Sequence, residues 1–278
     1  MRYGGIDSEP ILRPEDRDLW EMWRRIALLR AKTAAHRRAV QRGCDAVQEA
    51  VARYGNIAVM WSGGKDSTAM VHLVRIRCGL DLPVISEKDD LDYPGEDEYV
   101  ADLAERWRLD LTIVRPAHSL LEHVQSIAVW GDITSDIHGR SASLSREHFY
   151  PLVEAASEGF RCIMLGLRSE ESRGRKLNRM TRGLLYEKKS GQATCQPLAD
   201  WSGLDVMAYM ASSGIEPLPL YRCIAFDPEH AAEPWRVRKA WWLPGATTAN
   251  GGVAWLRHYY PSLYAKLWDI YPSASRFR

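Results

Sequence analysis

Apolar positions recur at helical spacing through the first fifty residues: Trp20, Trp23, Ile26 and Ala27, then Val40, Cys44, Val47 and Val51. That period predicts one long or broken helix, with an interruption near Gly43. Pro14 followed by Glu15, Asp16 and Asp18 makes a suitable start, because carboxylates favour the positive end of a helix dipole. The pattern then shortens. Ile57–Trp61 predicts a buried strand, followed by a glycine-rich turn and a helix through Ala69–Arg77. Leu82–Ser86 predicts a second strand, and an acidic loop leads from it to a helix near Glu96–Trp107. Leu111–Val114 and Cys162–Leu167 predict a third and a fourth strand. Strands separated by helical stretches imply an α/β fold, doubly wound, with a mostly parallel sheet covered on both faces.

Residues 130–147 are rich in Ser, Gly and Asp and predict a mobile insertion over one edge of the sheet. Beyond Tyr221 the periodicity fades and Trp, Tyr and Pro dominate, which predicts an irregular, aromatic-rich C-terminal cap. The chain therefore divides into a helical extension (1–44), an α/β domain (45–222) and a cap segment (223–278).

Composition narrows the function classes. With 37 Lys and Arg against 36 Asp and Glu, there is no global attraction to nucleic acid or anionic membrane, so any such attraction is local. No apolar run has the length of a membrane span, and the expectation is a soluble, cytoplasmic protein with no membrane partner. The five cysteines are widely spaced with no C-x-x-C pair, which argues against a disulfide framework, a zinc site or an iron–sulfur cluster.

The chemistry concentrates after the first predicted strand. Ser62-Gly63-Gly64-Lys65-Asp66-Ser67 joins a strand to a helix. Two glycines let backbone N–H groups approach an anion, and the positive end of the helix faces the same point. Lys65 adds a charge, and Ser62 and Ser67 add hydroxyl donors. The segment is a phosphate cradle, but not a Walker A loop, because that motif needs an earlier glycine and a Ser or Thr after the lysine.

In this position the segment resembles the PP-loop of the ATP pyrophosphatase (adenine nucleotide α-hydrolase) superfamily. Leu165-Gly166-Leu167-Arg168-Ser169-Glu170-Glu171-Ser172-Arg173 resembles the Arg-and-Glu loop of the phosphoadenosine phosphosulfate (PAPS) reductase family. Pro197-Leu198-Ala199-Asp200-Trp201-Ser202, with Asp205, Val206, Tyr209, Pro217, Leu218 and Tyr221 after it, resembles a later stretch of that family. Asp92-Tyr93-Pro94-Gly95-Glu96 is similar to its acidic, proline-containing loop. The resemblance spans about residues 45–222.

It implies an adenine nucleotide α-hydrolase-like, Rossmann-like fold. Ser62, Gly63, Gly64, Lys65, Asp66 and Ser67 would hold the phosphates of ATP. Lys65, Arg168 and Arg173 would act in catalysis by neutralising charge as the α–β phosphate bond opens. Magnesium contacts would fall to Asp66, Glu170 or Glu171, whereas Asp200 and Trp201 would order the loop below the site.

The sequence departs from the reductases of that family. It lacks their C-terminal Glu-Cys-Gly segment, and no cysteine follows Cys223. Cys195 and Cys223 are the stand-in thiols for a sulfonucleotide reductase reading. The intact nucleotide half instead favours an AMP-forming enzyme that uses ATP and Mg²⁺ to adenylate an acceptor and releases pyrophosphate. The acceptor is either a small molecule or a nucleic acid. A nucleic acid would use the basic run Arg24–Arg42, the cluster Arg173, Arg175, Lys176, Arg179, Arg182, Lys188 and Lys189, and the aromatic residues Trp241, Trp242, Trp255, Tyr259, Tyr260, Tyr264, Trp268 and Tyr271. A third reading is a nucleotide-binding subunit active only with a protein partner, docked through Trp20 and Trp23. A homo-oligomer joined through the C-terminal aromatics is a further expectation.

Overall fold

The computed structural model describes residues 2–3, 6–7, 9–89, 92–116, 150–226, 233–237, 239 and 252–270. The insertion expected at 130–147 lies outside the described residues. Among them, no helix is long and apolar enough to cross a membrane.

Two short strands, β1 (Arg2–Tyr3) and β2 (Ile6–Asp7), pair antiparallel at the start of the chain. The helical region after them is a pair of helices, α1 (Pro14–Ala31) and α2 (Ala34–Tyr54). The break falls at Lys32–Thr33 rather than near Gly43. Thr33 is extended, and its hydroxyl accepts the backbone N–H of His36 at 3.1 Å, capping α2. Gly43 is buried inside α2, where that helix lies against Leu73 and Trp201.

The α/β units follow. They are β3 (Ile57–Trp61), α3 (Lys65–His72) continued by a π-helix over Leu73–Arg77, β4 (Val84–Glu87), α4 (Glu96–Trp107) and β5 (Leu111–Val114). The second half contains α5 (Tyr150–Ala156), β6 (Cys162–Met164), α6 (Arg173–Arg182), β7 (Leu185–Glu187), β8 (Ala193–Cys195) and α7 (Gly203–Ser212). The strand expected over Cys162–Leu167 stops at Met164, because the chain turns there into the site loop.

One six-stranded sheet runs in the order β5-β4-β3-β6-β8-β7, parallel throughout except for β7, which is antiparallel to β8. Every residue of β3 is buried, and its two faces feed different cores. Ile57, Val59 and Trp61 pack with Val47, Met70, Leu103 and Val206, whereas Ala58 and Met60 pack with Ile85 and Ile163. This is the doubly wound arrangement expected of an uninterrupted apolar strand.

The C-terminal cap is ordered where it is described, contrary to the irregular segment expected. Helices α8 (Gly252–Tyr259) and α9 (Pro261–Ile270) supply Leu256, Tyr259, Tyr260, Leu263 and Tyr264 to a core shared with Tyr93, Leu218 and Tyr221. Those tyrosines are packing residues rather than a stacking platform. Trp241, Trp242 and Tyr271, and the side chain of Trp268, lie outside the described residues. Trp20 and Trp23 are half-buried against the same core, and Trp23 meets Trp235 edge-on at 4.8 Å.

Asp16 ties α1 to the segment that follows the sheet. It is fully buried, and its Oδ1 accepts the N–H groups of Ile224 and Ala225 (2.8 and 2.7 Å) and the hydroxyl of Tyr259 (2.8 Å). Its other oxygen accepts the N–H of Arg13, completing the start of α1.

Candidate nucleotide site

From β3 the chain adds β4 and then β5 on one side, and afterwards β6 and β8 on the other. This reversal opens a crevice at the carboxyl ends of β3 and β6, the position where open α/β sheets bind ligands. The loop after β3 is Ser62–Gly64, and the loop after β6 begins at Leu165.

The phosphate loop is held from within. Trp61 Nε1 donates to Thr68 Oγ1 at 3.0 Å, tying the strand end to the helix. Ser67 Oγ accepts the N–H of Ser62 (3.2 Å), donates to the carbonyl of Gly64 (3.1 Å) and lies 3.0 Å from Ser62 Oγ. Gly63 turns at φ +72°, a conformation that favours glycine, and a β-carbon there would stand 2.9 Å from Glu96 Oε1. The hydroxyl of Ser67 thus serves the loop itself, and that of exposed Ser62 is the one facing solvent.

Lys65 turns inward. Its N–H donates to the hydroxyl of buried Tyr221 at 3.1 Å, and its ammonium lies 2.8 Å from Asp66 Oδ2 and 5.1 Å from the centre of the Tyr221 ring. Arg168 reaches the same carboxylate from the β6 loop, with Nε 2.6 Å from Asp66 Oδ1. It also bonds Glu170, and its backbone N–H donates to Glu171 Oε2 at 3.1 Å. The two loops touch through their main chains: a β-carbon on Gly166 would stand 2.8 Å from the Ser67 α-carbon.

Burial alone would raise the Asp66 carboxyl, but the adjacent Lys65 and Arg168 outweigh it and hold the group below the usual carboxylate range. Burial likewise opposes the charge on Arg168, and Asp66, Glu171 and Glu170 more than restore it. The result is a charge-dense knot in which Lys65 and Arg168 are held against Asp66 in one geometry, with Glu170 and Glu171 beside Arg168.

The fate of the other expected residues varies. Arg173 is exposed at the first turn of α6. Glu170 and Glu171 converge on Arg168, and Glu170 also accepts the N–H of Gly203. Among the described residues, no trio of His, Cys, Asp and Glu is grouped to hold a metal. Asp200 pairs bidentately with Arg179 at 2.8 Å, and Trp201 Nε1 donates to the carbonyl of Ala39 at 3.0 Å, so both order the segment below the crevice.

The basic residues expected to line a nucleic-acid groove are partly neutralised within the fold. Arg30 bonds Asp205, Arg42 approaches Asp200, and Arg175 bonds Glu171. Cys195 and Cys223 have no exposed surface, and burial pushes both thiols well up from their ordinary range. Neither is poised as a thiolate nucleophile.

Three residues beside the loop carry no motif of their own. Glu96 is fully buried beneath Gly63, and Lys88, 1% exposed, donates to its Oε1 at 2.8 Å. Lys239 reaches the same carboxylate and the carbonyl of Ser62. Lys88 lies next to the acidic loop, where an isolated lysine among carboxylates reads as solvated. Nothing in the order of residues around Lys239 points to a loop 177 positions away.

Comparison with known proteins identifies the family. The model of the phosphoadenosine phosphosulfate reductase domain matches residues 56–224. Sulfate adenylyltransferase subunit 2 of Aliivibrio fischeri is 25% identical, over 63% of this chain and 63% of that protein. The chain thus spans less than two thirds of the length of that relative. Phosphoadenosine 5'-phosphosulfate reductase of Alkalilimnicola ehrlichii is 24% identical, over 78% of this chain and 80% of that protein. A crystal structure of the phosphoadenylyl-sulfate reductase of Candida auris superposes with a TM-score of 0.48 at 16% identity, over 64% of this chain and 82% of that one. The matched span begins at the residue before β3, ends two residues after Cys223's predecessor Arg222, and so contains both loops of the crevice: the chain belongs to the phosphoadenosine phosphosulfate reductase domain family.

Proposed function

We infer that this chain binds ATP·Mg²⁺ at Ser62–Ser67 and transfers its AMP group to an acceptor oxygen, releasing pyrophosphate. The observation that carries this reading is the Lys65–Asp66–Arg168 knot, which fixes two cations at a phosphate loop in the sheet crevice. In the reaction, the acceptor oxygen bonds to the α-phosphorus as the bond to the bridging α–β oxygen breaks. Negative charge gathers on the departing pyrophosphate, and Lys65 and Arg168 stabilise it. The magnesium ion arrives with the triphosphate as part of the substrate. The likeness to sulfate adenylyltransferase subunit 2 supports adenylyl chemistry in this family.

Reduction of a sulfonucleotide is the weaker reading, because it requires a thiolate and the two cysteines nearest the family segment are buried with raised pKa values. Thermal-shift titration of the wild type and Lys65→Ala with ATP·Mg²⁺ and with PAPS separates the two. ATP·Mg²⁺ at about 100 times its dissociation constant adds about 2.7 kcal/mol to the stability of a competent site. Stabilisation of the wild type by ATP·Mg²⁺, lost in Lys65→Ala, is the expected result. Stabilisation by PAPS alone would transfer the case to the reductase, and a Cys195→Ala, Cys223→Ala double variant would then lose activity.

A further inference from the structure

The cations that the two family loops bring to the crevice are turned away from solvent. The Lys65 side chain is 5% exposed with its ammonium on Asp66, and the Arg168 side chain is 3% exposed against Asp66, Glu170 and Glu171. A polyphosphate approaching Ser62–Gly64 meets a different cation first. Lys239 stands at the rim of the loop with 19% of its side chain exposed. Its ammonium donates to the Ser62 carbonyl and to Glu96 Oε1, and lies 3.3 Å from Asp92 Oδ1.

An ammonium has three N–H donors, and here two face carboxylates while the third faces a neutral carbonyl. A phosphate oxygen is a charged acceptor, and charge-assisted hydrogen bonds are about twice as strong as neutral ones. An incoming phosphate therefore replaces the Ser62 carbonyl as the third partner without displacing Glu96 or Asp92. Lys88 already neutralises the shared oxygen of Glu96 from the buried side, which leaves Lys239 the more available of the two lysines. Residues 233–237, shortly before Lys239, are anchored: the ring of Trp235 lies directly on Gly203 and meets Trp23 edge-on.

We propose that Lys239 is a phosphate-binding residue of the nucleotide site, a substrate-contacting lysine supplied by the C-terminal segment to the polyphosphate group. It rests on the ATP reading above and adds to it a residue outside the span 56–224 that the family model matches.

The test is calorimetric titration of the full-length wild type, Lys239→Met and Lys239→Arg with inorganic triphosphate, ATP·Mg²⁺ and adenosine. Lys239→Met is expected to weaken both triphosphate and ATP·Mg²⁺ by about tenfold, with Lys239→Arg recovering to within about threefold. Adenosine affinity stays unchanged, which a general loosening of the fold would not allow. Equal triphosphate affinity in Lys239→Met and the wild type overturns the role of Lys239 while leaving the ATP reading standing. A wild type that binds neither ATP·Mg²⁺ nor triphosphate overturns both.

Should Lys239→Met not fold, reductive methylation of the wild type supplies the answer. At high reagent excess Lys239, slowed but not blocked by its bonds to Glu96 and Asp92, is expected to be methylated in the free chain and protected by inorganic triphosphate. Equal methylation with and without triphosphate overturns the proposal.

Discussion

Replacing Gly166 by alanine tests the crevice at its tightest point. The added β-carbon would stand 2.8 Å from the Ser67 α-carbon, 2.9 Å from its nitrogen and 3.1 Å from the Asp66 carbonyl carbon. All three are backbone atoms, so no side chain can swing aside. The loop after β6 and the first turn of α3 must part by about half an ångström to restore van der Waals contact, a strain of about 1–3 kcal/mol. The displaced turn carries the amides that the proposed ATP binding uses, and Arg168, two residues on, moves with the other wall. Urea denaturation should show the stability loss, and titration with ATP·Mg²⁺ should show a fall in affinity of about tenfold, the equivalent of a 1.4 kcal/mol penalty. Gly174→Ala is the matched control, because nothing lies within 4 Å of a β-carbon there and the residue sits in helix α6. It should gain about 0.4–1 kcal/mol through the unfolded state and leave ATP affinity alone. A Gly166→Ala variant as stable and as tight-binding as the wild type would refute the close approach of the two loops.

Three further outcomes follow from buried polar groups. Asp16→Ala leaves the N–H groups of Ile224 and Ala225 and the Tyr259 hydroxyl without their acceptor, and should cost about 3–5 kcal/mol in chemical denaturation. Burial lowers the pKa of His72 to about 4, so the folded chain holds the ring neutral where the unfolded chain protonates it. That contribution is complete above about pH 6.5 and drains away as pH falls towards 4; His72→Gln should flatten the stability profile over that window. The Asp66 carboxyl runs in the same direction from a different cause: its depressed pKa gives stability that is present above the unfolded value and lost on further acidification. Asp66→Asn should therefore be less stable at neutral pH and show a shallower acid slope.

Much of the sheet was legible because its signals are local. Ile57–Trp61 is apolar at every position since both faces of β3 are covered, and Glu96–Trp107 shows one apolar stripe with an acidic first turn. Strands β7 and β8 carry no signal in the sequence, since each is three residues without the longer apolar run Cys162–Leu167 that marks β6, and their pairing comes from the hairpin between them. The phosphate loop was visible as a run of residue types, whereas the inward turn of Lys65 depends on Tyr221, which contacts it across 156 positions. The place of Asp16 after Pro14 points to the helix dipole, yet only one of its oxygens serves the start of α1. The aromatic tail looked like a binding surface because spacing alone does not say which rings face a core. Lys239 was invisible for a simpler reason: its partners Ser62, Asp92 and Glu96 are brought to it only by the completed sheet and its loops.

The reach of Asp16 sets the order in which this chain can mature. Its partners lie 208, 209 and 243 residues downstream, so a nascent chain carries α1 without them until Tyr259 has been made. The parallel sheet has its central strands well before then, but the core of Tyr93, Tyr221 and Tyr259 closes only after α8 has left the ribosome. Contacts of such separation form late and slowly. A polypeptide interrupted anywhere between the end of the sheet and Tyr259 would present an exposed aromatic surface to chaperones and proteases, and quality control would act on the segment after the sheet rather than on the α/β half that precedes it.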